Sequence, residues 1–337
     1  MSKPRVLLTN DDGPPDFKES PYVLGLYRHL TEELGWDVSV VLPSSQKSWI
    51  GKAYHIKDII KGSYFYPRHD GKGETSAKPR PLKEGEIAQW ILFDGTPATC
   101  ANIALHNIFS GQIDLVISGP NLGRNTSAAF ALSSGTVGAA LSSSLSKIRS
   151  IALSYGTVLH PTPTTLFEPA HRLGAHIIHH LWNNWGKDME GLRNGEVDLY
   201  SVNIPLVEDL LTPDGLKIYS TTMWRNSYGR LFKSLSANGN AEPGQMVRSA
   251  GPDSLDSTIP ENGVPKPTPD DSADLWFKFS PDMKELITPS PSSLPVGSDG
   301  WAIYHGYVSV TPLRASFGEP LQEEIIDIQD RLWKMRL

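Results

Sequence analysis

The sequence predicts a doubly wound α/β domain, a mostly parallel sheet flanked by helices on both faces. Two observations carry this. Through the first half of the chain, short β-forming runs alternate with segments of helical spacing, the pattern of βαβ units and a parallel sheet. The first run, in "VLLTNDDG" (Val6–Gly13), ends in polar turn-forming residues, at the place where an open α/β sheet receives its ligand.

In order, Arg5–Leu8 reads as a strand. Tyr22–Leu34 has apolar residues spaced near 3.6 and reads as a helix. Trp36–Leu42 ("WDVSVVL") is a second strand, stopped by Pro43 and a serine-rich turn. Thr96–Phe109 reads as a helix with Thr96 as N-cap and Pro97 at its first position. Leu115–Ile117 is a strand, Gly135–Leu145 a helix and Ser150–Ser154 a strand. Glu168–Trp185 is a long amphipathic helix and Asp198–Asn203 a further strand.

From about Ser234 to Gly297 the chain is dense in Pro, Gly, Ser, Asn and Asp. Such a segment buries too little apolar surface to offset its ordering entropy. The expected organisation is therefore an α/β core over 1–233 and a partly disordered insertion over 234–297, with a strand in Leu275–Ser280. Residues 298–337 complete the same domain. Order is expected to resume as C-terminal strands at Trp301–Ile303 and Tyr307–Val310, and then as a helix over Leu321–Leu337. In that helix Leu321, Ile325, Ile328, Leu332 and Met335 form a seam, which suits packing on the domain itself or a contact in a dimer.

Bulk properties narrow the function. A net charge of −6 with both signs scattered leaves no basic footprint for duplex nucleic acid and no polybasic membrane patch. The single cysteine, Cys100, excludes an intramolecular disulfide framework and suits a reducing compartment. No signal-peptide pattern or membrane-length apolar run is present, so the expected location is cytoplasmic.

Three stretches can carry chemistry. Asn10-Asp11-Asp12-Gly13 ends the first strand, and its adjacent carboxylates repel unless a cation sits between them. Asp-Asp-Gly is also ordinary turn chemistry, so a metal site and a turn both fit. Leu42–His55 ("LPSSQKSWIGKAYH") follows the second strand and reads by itself as a polar surface loop able to offer a hydroxyl or a lysine. Asp114–Leu141 carries two small-residue turns, Gly119–Asn125 and Ser133-Ser134-Gly135-Thr136, the second opening a helix whose N-terminus suits an anion. Neither a Walker A ending nor a G-x-G-x-x-G fingerprint occurs, which disfavours a dinucleotide oxidoreductase. His171, His176, His179 and His180 share one helix but read as a solvated polar face, and Cys100 reads as a buried small residue.

Taken together, "LLTNDDG" (Leu7–Gly13), "KSWIGKA" (Lys47–Ala53), "GTPATC" (Gly95–Cys100), "SGPNLGRN" (Ser118–Asn125), "SSGTVGAA" (Ser133–Ala140), "VNIP" (Val202–Pro205) and "GSDGWAIYHGYVSVTPL" (Gly297–Leu313) resemble the survival protein SurE family. The resemblance implies a SurE-like, Rossmann-like fold with a β-hairpin and C-terminal extensions for oligomer contacts, in a homodimer or larger assembly. It implies hydrolysis of nucleoside monophosphates, and in some members of polyphosphate or general phosphomonoesters. It implies one divalent cation, Mg²⁺ or Mn²⁺, on Asp11, Asp12, Ser48 and Asn121. Asp11, Asp12 and Asn121 are then the catalytic positions. The implied phosphate pocket falls on Asn121 and Ser134-Gly135-Thr136, with Asn10 and Gly95-Thr96 nearby. The segment Ser118–Ser134 is about one residue longer than in bacterial members, so Asn125 competes for a pocket role. The long insertion resembles that of a eukaryotic, fungal-like member. The alternatives are a nucleotide-sugar transferase on a similar fold and a non-catalytic nucleotide- or metal-binding regulator.

Overall fold

The structure is a computed structural model that describes residues 3–157, 162–234, 276–281, 284–287 and 289–318. The expectations for 235–275 and for the helix at Leu321–Leu337 lie outside the described residues.

Twelve strands are described: β1 (Arg5–Thr9), β2 (Asp37–Pro43), β3 (Gly62–Pro67), β4 (Gly73–Ser76), β5 (Trp90–Phe93), β6 (Leu115–Leu122), β7 (Arg149–Thr157), β8 (Leu199–Leu206), β9 (Ile218–Ser220), β10 (Phe232–Ser234), β11 (Phe277–Phe279) and β12 (Val308–Leu313). The helices are α1 (Val23–Arg28), α2 (Pro97–Ile103), α3 (Ser127–Ser133), α4 (Gly135–Leu145), α5 (Phe167–Asn183), α6 (Lys284–Ile287) and α7 (Asp299–Tyr304). α1 and α2 each continue into a wider π-turn, His29–Glu33 and Ala104–Ile108.

Ten strands form one sheet in the order β4-β3-β5-β2-β1-β6-β7-β8-β12-β9. Its centre, from β5 to β8, is parallel, and antiparallel pairs occur toward its edges. Alternate residues of β1 feed two different cores. Val6 and Leu8 join Leu26, Leu30, Ile178 and Tyr155 on one face, and Leu7 joins Val41, Cys100, Leu105 and Val116 on the other. That division is the signature of a sheet covered on both faces. β1 leads to β2 on one side, whereas β6 pairs with β1 and leads to β7 on the other. The boundary between β1 and β6 is therefore the topological switch point, where doubly wound sheets bind ligands.

Several expected elements have the expected local causes. Thr96 caps α2, accepting the Thr99 N–H at 3.1 Å, with Pro97 at the first helical position. Ser134 caps α4 through the Val137 N–H at 3.1 Å. Trp301–Ile303 is a correction: the segment lies in α7, not a strand. Ser298 accepts the Trp301 N–H at 3.2 Å and Asp299 stands in the first turn, both of which favour helix initiation. Between the two small-residue turns, Ser127–Ser133 forms a further helix, α3. β3 and β4 form an antiparallel hairpin at the sheet edge, and β10 and β11 pair separately. Among the described residues no single helix is long and apolar enough to cross a membrane.

Candidate active site

The ends of β1 and β6 assemble the site. Beyond Thr9 the chain turns through Asn10, whose amide nitrogen donates to the Gly13 carbonyl at 2.9 Å and the Ser20 hydroxyl at 3.3 Å. Its oxygen accepts the Gly13 N–H at 2.9 Å. Asn10, expected beside a phosphate, is thus fully engaged in shaping the turn and lies outside the cavity lining. What the turn presents is Asp11 and Asp12, 4% and 3% exposed.

Asp11 sits against the first turn of α4. Thr136 donates its hydroxyl to Oδ1 at 2.5 Å, and the backbone N–H groups of Gly135 and Thr136 add to it. The helix N-terminus, expected to serve an anion, faces this carboxylate with its first N–H groups and positive dipole end. Burial still pushes the Asp11 carboxyl up to about 6, against those hydrogen bonds. Close approach requires glycine at 135, because a Cβ there would lie 2.8 Å from Asp11 Cβ. Asp12 reaches across the switch point and accepts the Leu122 N–H at 3.0 Å through Oδ2.

Asn121 comes from β6 at an irregularity. The β6–β7 register shifts between Ser118 and Asn121, and Gly119 stands at φ +120° with no room for a side chain against the Leu153 carbonyl. A bulge of this kind re-aims the side chains that follow it. Asn121 donates its Nδ2 to the Gly123 carbonyl at 2.8 Å, which fixes the amide and leaves its oxygen as the available acceptor. Ser48 arrives on the loop after β2. That loop is pinned by the Lys47 N–H on the Asp11 carbonyl at 2.7 Å and the Gly51 N–H on the Ser133 carbonyl at 2.9 Å.

Asp11, Ser48, Trp49, Asn121, Asn125, Phe130, Ser133 and Ser134 line one small cavity of about 10 Å³. That is room for about one water-sized particle. Of the expected positions, Asp11, Ser48, Asn121, Asn125 and Ser134 meet at the cavity, and Gly135 and Thr136 support it through Asp11. Asn125 is held by its own amide on the Ser154 hydroxyl at 2.8 Å and by its N–H on the Asn203 side chain at 2.7 Å. Gly95 and Thr96 do not line the cavity. The Thr96 hydroxyl donates to the Ala53 carbonyl at 2.7 Å, so this pair braces the far end of the Ser48 loop. Sequence reasoning missed Trp49 and Phe130, although Trp49 lies inside the Lys47–Ala53 motif.

The donor set fits a hard divalent cation. The cavity lining offers the Asp11 carboxylate, the Ser48 hydroxyl and the Asn121 amide oxygen. Asp12, which does not line the cavity, adds a second carboxylate from the same turn, so that all are oxygen donors. Among the described residues Asp11 pairs with no lysine, arginine or histidine, so its buried charge lacks the compensation that an ion would provide. No group of three or more His, Cys, Asp or Glu that could hold a metal ion gathers at this site or elsewhere among the described residues. The histidines of α5 divide between solvent and core. His176, His179 and His180 are exposed, but His171 is buried against Gly25, a departure from the solvated face expected for all four. Cys100 is buried, and burial pushes its thiol up to about 12, which removes it as a nucleophile.

Comparison with known proteins bears on the family and the fold. The family model described as survival protein SurE matches residues 6–230. Over 255 residues the chain is 37% identical to a Saccharomyces cerevisiae protein named "Probable tubulin--tyrosine ligase PBY1", covering 69% of this chain but only 32% of that one. It is 32% identical over 223 residues to a 5'-nucleotidase SurE of Synechocystis, covering 64% of this chain and 69% of the relative. It is 31% identical over 229 residues to a 5'-nucleotidase SurE of Archaeoglobus fulgidus, covering 66% and 73%. The fold matches the crystal structure of a SurE protein from Aquifex aeolicus with a TM-score of 0.56 at 22% identity, over 93% of this chain and 94% of that one. The chain belongs to the survival protein SurE family.

Proposed function

We propose that this chain is a divalent-metal-dependent phosphomonoesterase that hydrolyses nucleoside monophosphates. The observation that carries the reading is the pair of buried carboxylates, Asp11 and Asp12, at the switch point, with the oxygen donors Ser48 and Asn121 sharing a cavity with Asp11. The 5'-nucleotidase names of the Synechocystis and Archaeoglobus fulgidus relatives support the same chemistry.

Asp11, Asp12, Ser48 and Asn121 would hold one Mg²⁺ or Mn²⁺. When bound, that ion supplies Lewis acidity to a phosphoryl oxygen. The chain's own residues do the rest. Thr136 and the first N–H groups of α4 keep Asp11 oriented and favour its ionised form. The Ser134 hydroxyl accepts the Val137 N–H, so its own proton is available to a phosphoryl oxygen. Ser133 differs: it donates to the Ala129 carbonyl at 3.0 Å and offers the cavity only an acceptor. Asn125, held rigidly by Ser154 and Asn203, adds a second positioned amide as charge spreads over the transferring group. General phosphomonoesters and polyphosphate fall within the same proposal, as does a homo-oligomeric assembly.

The test is phosphate release from AMP, GMP, CMP, UMP and p-nitrophenyl phosphate, in EDTA and with added Mg²⁺ or Mn²⁺. Release that disappears in EDTA and returns with metal is the expected result. No release under any condition would leave a nucleotide- or metal-binding protein without catalysis.

A further inference from the structure

The cavity has two unlike walls. Asp11, Ser48, Asn121, Asn125, Ser133 and Ser134 form a polar one, and Trp49 and Phe130 form an aromatic one. Trp49 directly follows Ser48, and three other rings surround it. Phe279 lies 5.4 Å from it between ring centroids, Phe130 6.1 Å and Tyr228 6.3 Å, all at tilted, edge-to-face angles. Phe279 is delivered by the β10–β11 pair, where it stands opposite Phe232 with centroids 5.4 Å apart. Trp49 is half-buried and Tyr228 is exposed, so the group is open to solvent on one side.

Packing alone accounts for part of this. Trp49 and Phe130 join Ala129, Leu286 and Ile287 in a small apolar cluster that seats α6. It does not account for the backbone. Trp49 stands at φ +61°, a left-handed conformation that costs a bulky residue free energy and that persists where a site demands a particular orientation. Nor does packing account for an indole in the lining of a polar cavity sized for a single ion or water.

We propose that Trp49, framed by Phe130, Tyr228 and Phe279, is the subsite for the nucleobase of the substrate. The inference rests on the phosphomonoesterase reading and adds the feature that selects the leaving group. A base is a flat π-system joined to its phosphate through a ribose, and aromatic side chains stack on every base with little regard to its hydrogen-bonding edge. The subsite therefore favours nucleoside monophosphates over sugar phosphates without a base, with only weak discrimination among bases. Trp49 is a specificity-determining residue here, since it touches the leaving group and not the reacting phosphorus.

The discriminating experiment compares AMP with ribose 5-phosphate, which has the same phosphate and sugar but no base. In the wild-type protein with Mn²⁺, kcat/KM for AMP should exceed that for ribose 5-phosphate about tenfold or more. In Trp49→Ala the ratio should collapse toward one, mostly through KM for AMP, and Trp49→Phe should retain most of it. If Trp49→Ala fails to fold in a thermal melt, Phe279→Ala takes its place, with a smaller loss of the same ratio. A wild-type ratio near one, or a ratio unchanged in both alanine variants, would overturn the subsite and leave Trp49 as packing only.

A second readout separates this outcome from failure of the phosphomonoesterase reading. Saturation-transfer NMR with adenosine and with ribose needs neither metal nor turnover. Adenosine base protons should be saturated by the wild-type protein and much less by Trp49→Ala, with no signal from ribose. If no ester is hydrolysed but this pattern holds, the subsite stands and the hydrolase reading falls. If esters are hydrolysed but adenosine gives equal signals with both proteins, or none with the wild type, the subsite falls alone.

Discussion

Asp11 lies under the first turn of α4, and its substitution separates charge from shape. Asp11→Asn keeps the size and the hydrogen bond from Thr136 but removes the negative charge. It is expected to lower kcat/KM for AMP about a hundredfold or more and to abolish calorimetric Mn²⁺ binding. Near-wild-type turnover would remove Asp11 from the site. Gly135→Ala tests the same contact from the other side. Its Cβ would fall 2.8 Å from Asp11 Cβ, so the carboxylate or the helix must shift. Misplacement on the scale of 1 Å costs up to about a hundredfold in rate, so activity should fall well before the fold is lost in a thermal melt. At this scale the residues themselves pointed to Asp11 and Ser134, whereas the Ser48 loop reads by itself as a polar surface loop, and Ser48 and Asn121 were reached only through the family resemblance. The sequence was not legible where a side chain had two outlets. Asn10 could face a ligand or brace its own turn, and only the path of the chain to Gly13 and Ser20 decides that.

Helices α1 and α5 meet through His171, which is buried on Gly25, with its ring 5.5 Å from Tyr155 and 6.3 Å from His29. Burial, aided by the charges of His29 and Arg28, lowers its pKa from 6.5 to about 3. The sign follows from linkage. Between these values the unfolded chain binds a proton that the folded protein does not, so this stability is full above about 6.5 and is lost as pH falls toward 3. The melting temperature should therefore drop steadily below pH 6.5, and His171→Gln, though less stable at pH 7.5, should show a shallower decline. Parallel curves would mean that His171 does not titrate in this window. On α4, Ser134→Ala removes the cap on Val137 and should cost about 1 kcal/mol in urea unfolding. Capped elements were the most legible ones, and α4 spans Gly135–Leu145 as its sequence predicts. The stretch from β3 to β5 was not, because β4 is the four-residue "GETS", three of its residues exposed, and its place comes from pairing with β3 across the sheet edge. α7 was misread as strand because Trp301–Ile303 is apolar in either state, and only the cap at Ser298 separates the two.

For the whole molecule, winding the sheet in two directions from the β1–β6 boundary puts Asp11-Asp12 and Asn121 side by side, although they lie more than a hundred residues apart. The loop after β2 is then brought over them by its bond to Ser133, so three separate stretches close on one cavity. Alternating strands and helices predicted that fold, and ligand placement at strand ends predicted which loops to watch. The full aromatic cluster was beyond reach because Phe279 comes from the 234–297 segment, whose composition predicts no fixed partner, and nothing local to Tyr228 points to Trp49. The measurement that bears most directly on this arrangement is a manganese titration of metal-stripped protein, with phosphate release from AMP read in the same samples. Activity should rise from zero and level off at about one bound Mn²⁺ per chain, and Asp11→Asn should show neither binding nor release. Full activity in the stripped protein, or activity that rises with Mn²⁺ equally in Asp11→Asn, would contradict a catalytic metal held at the β1–β6 switch point.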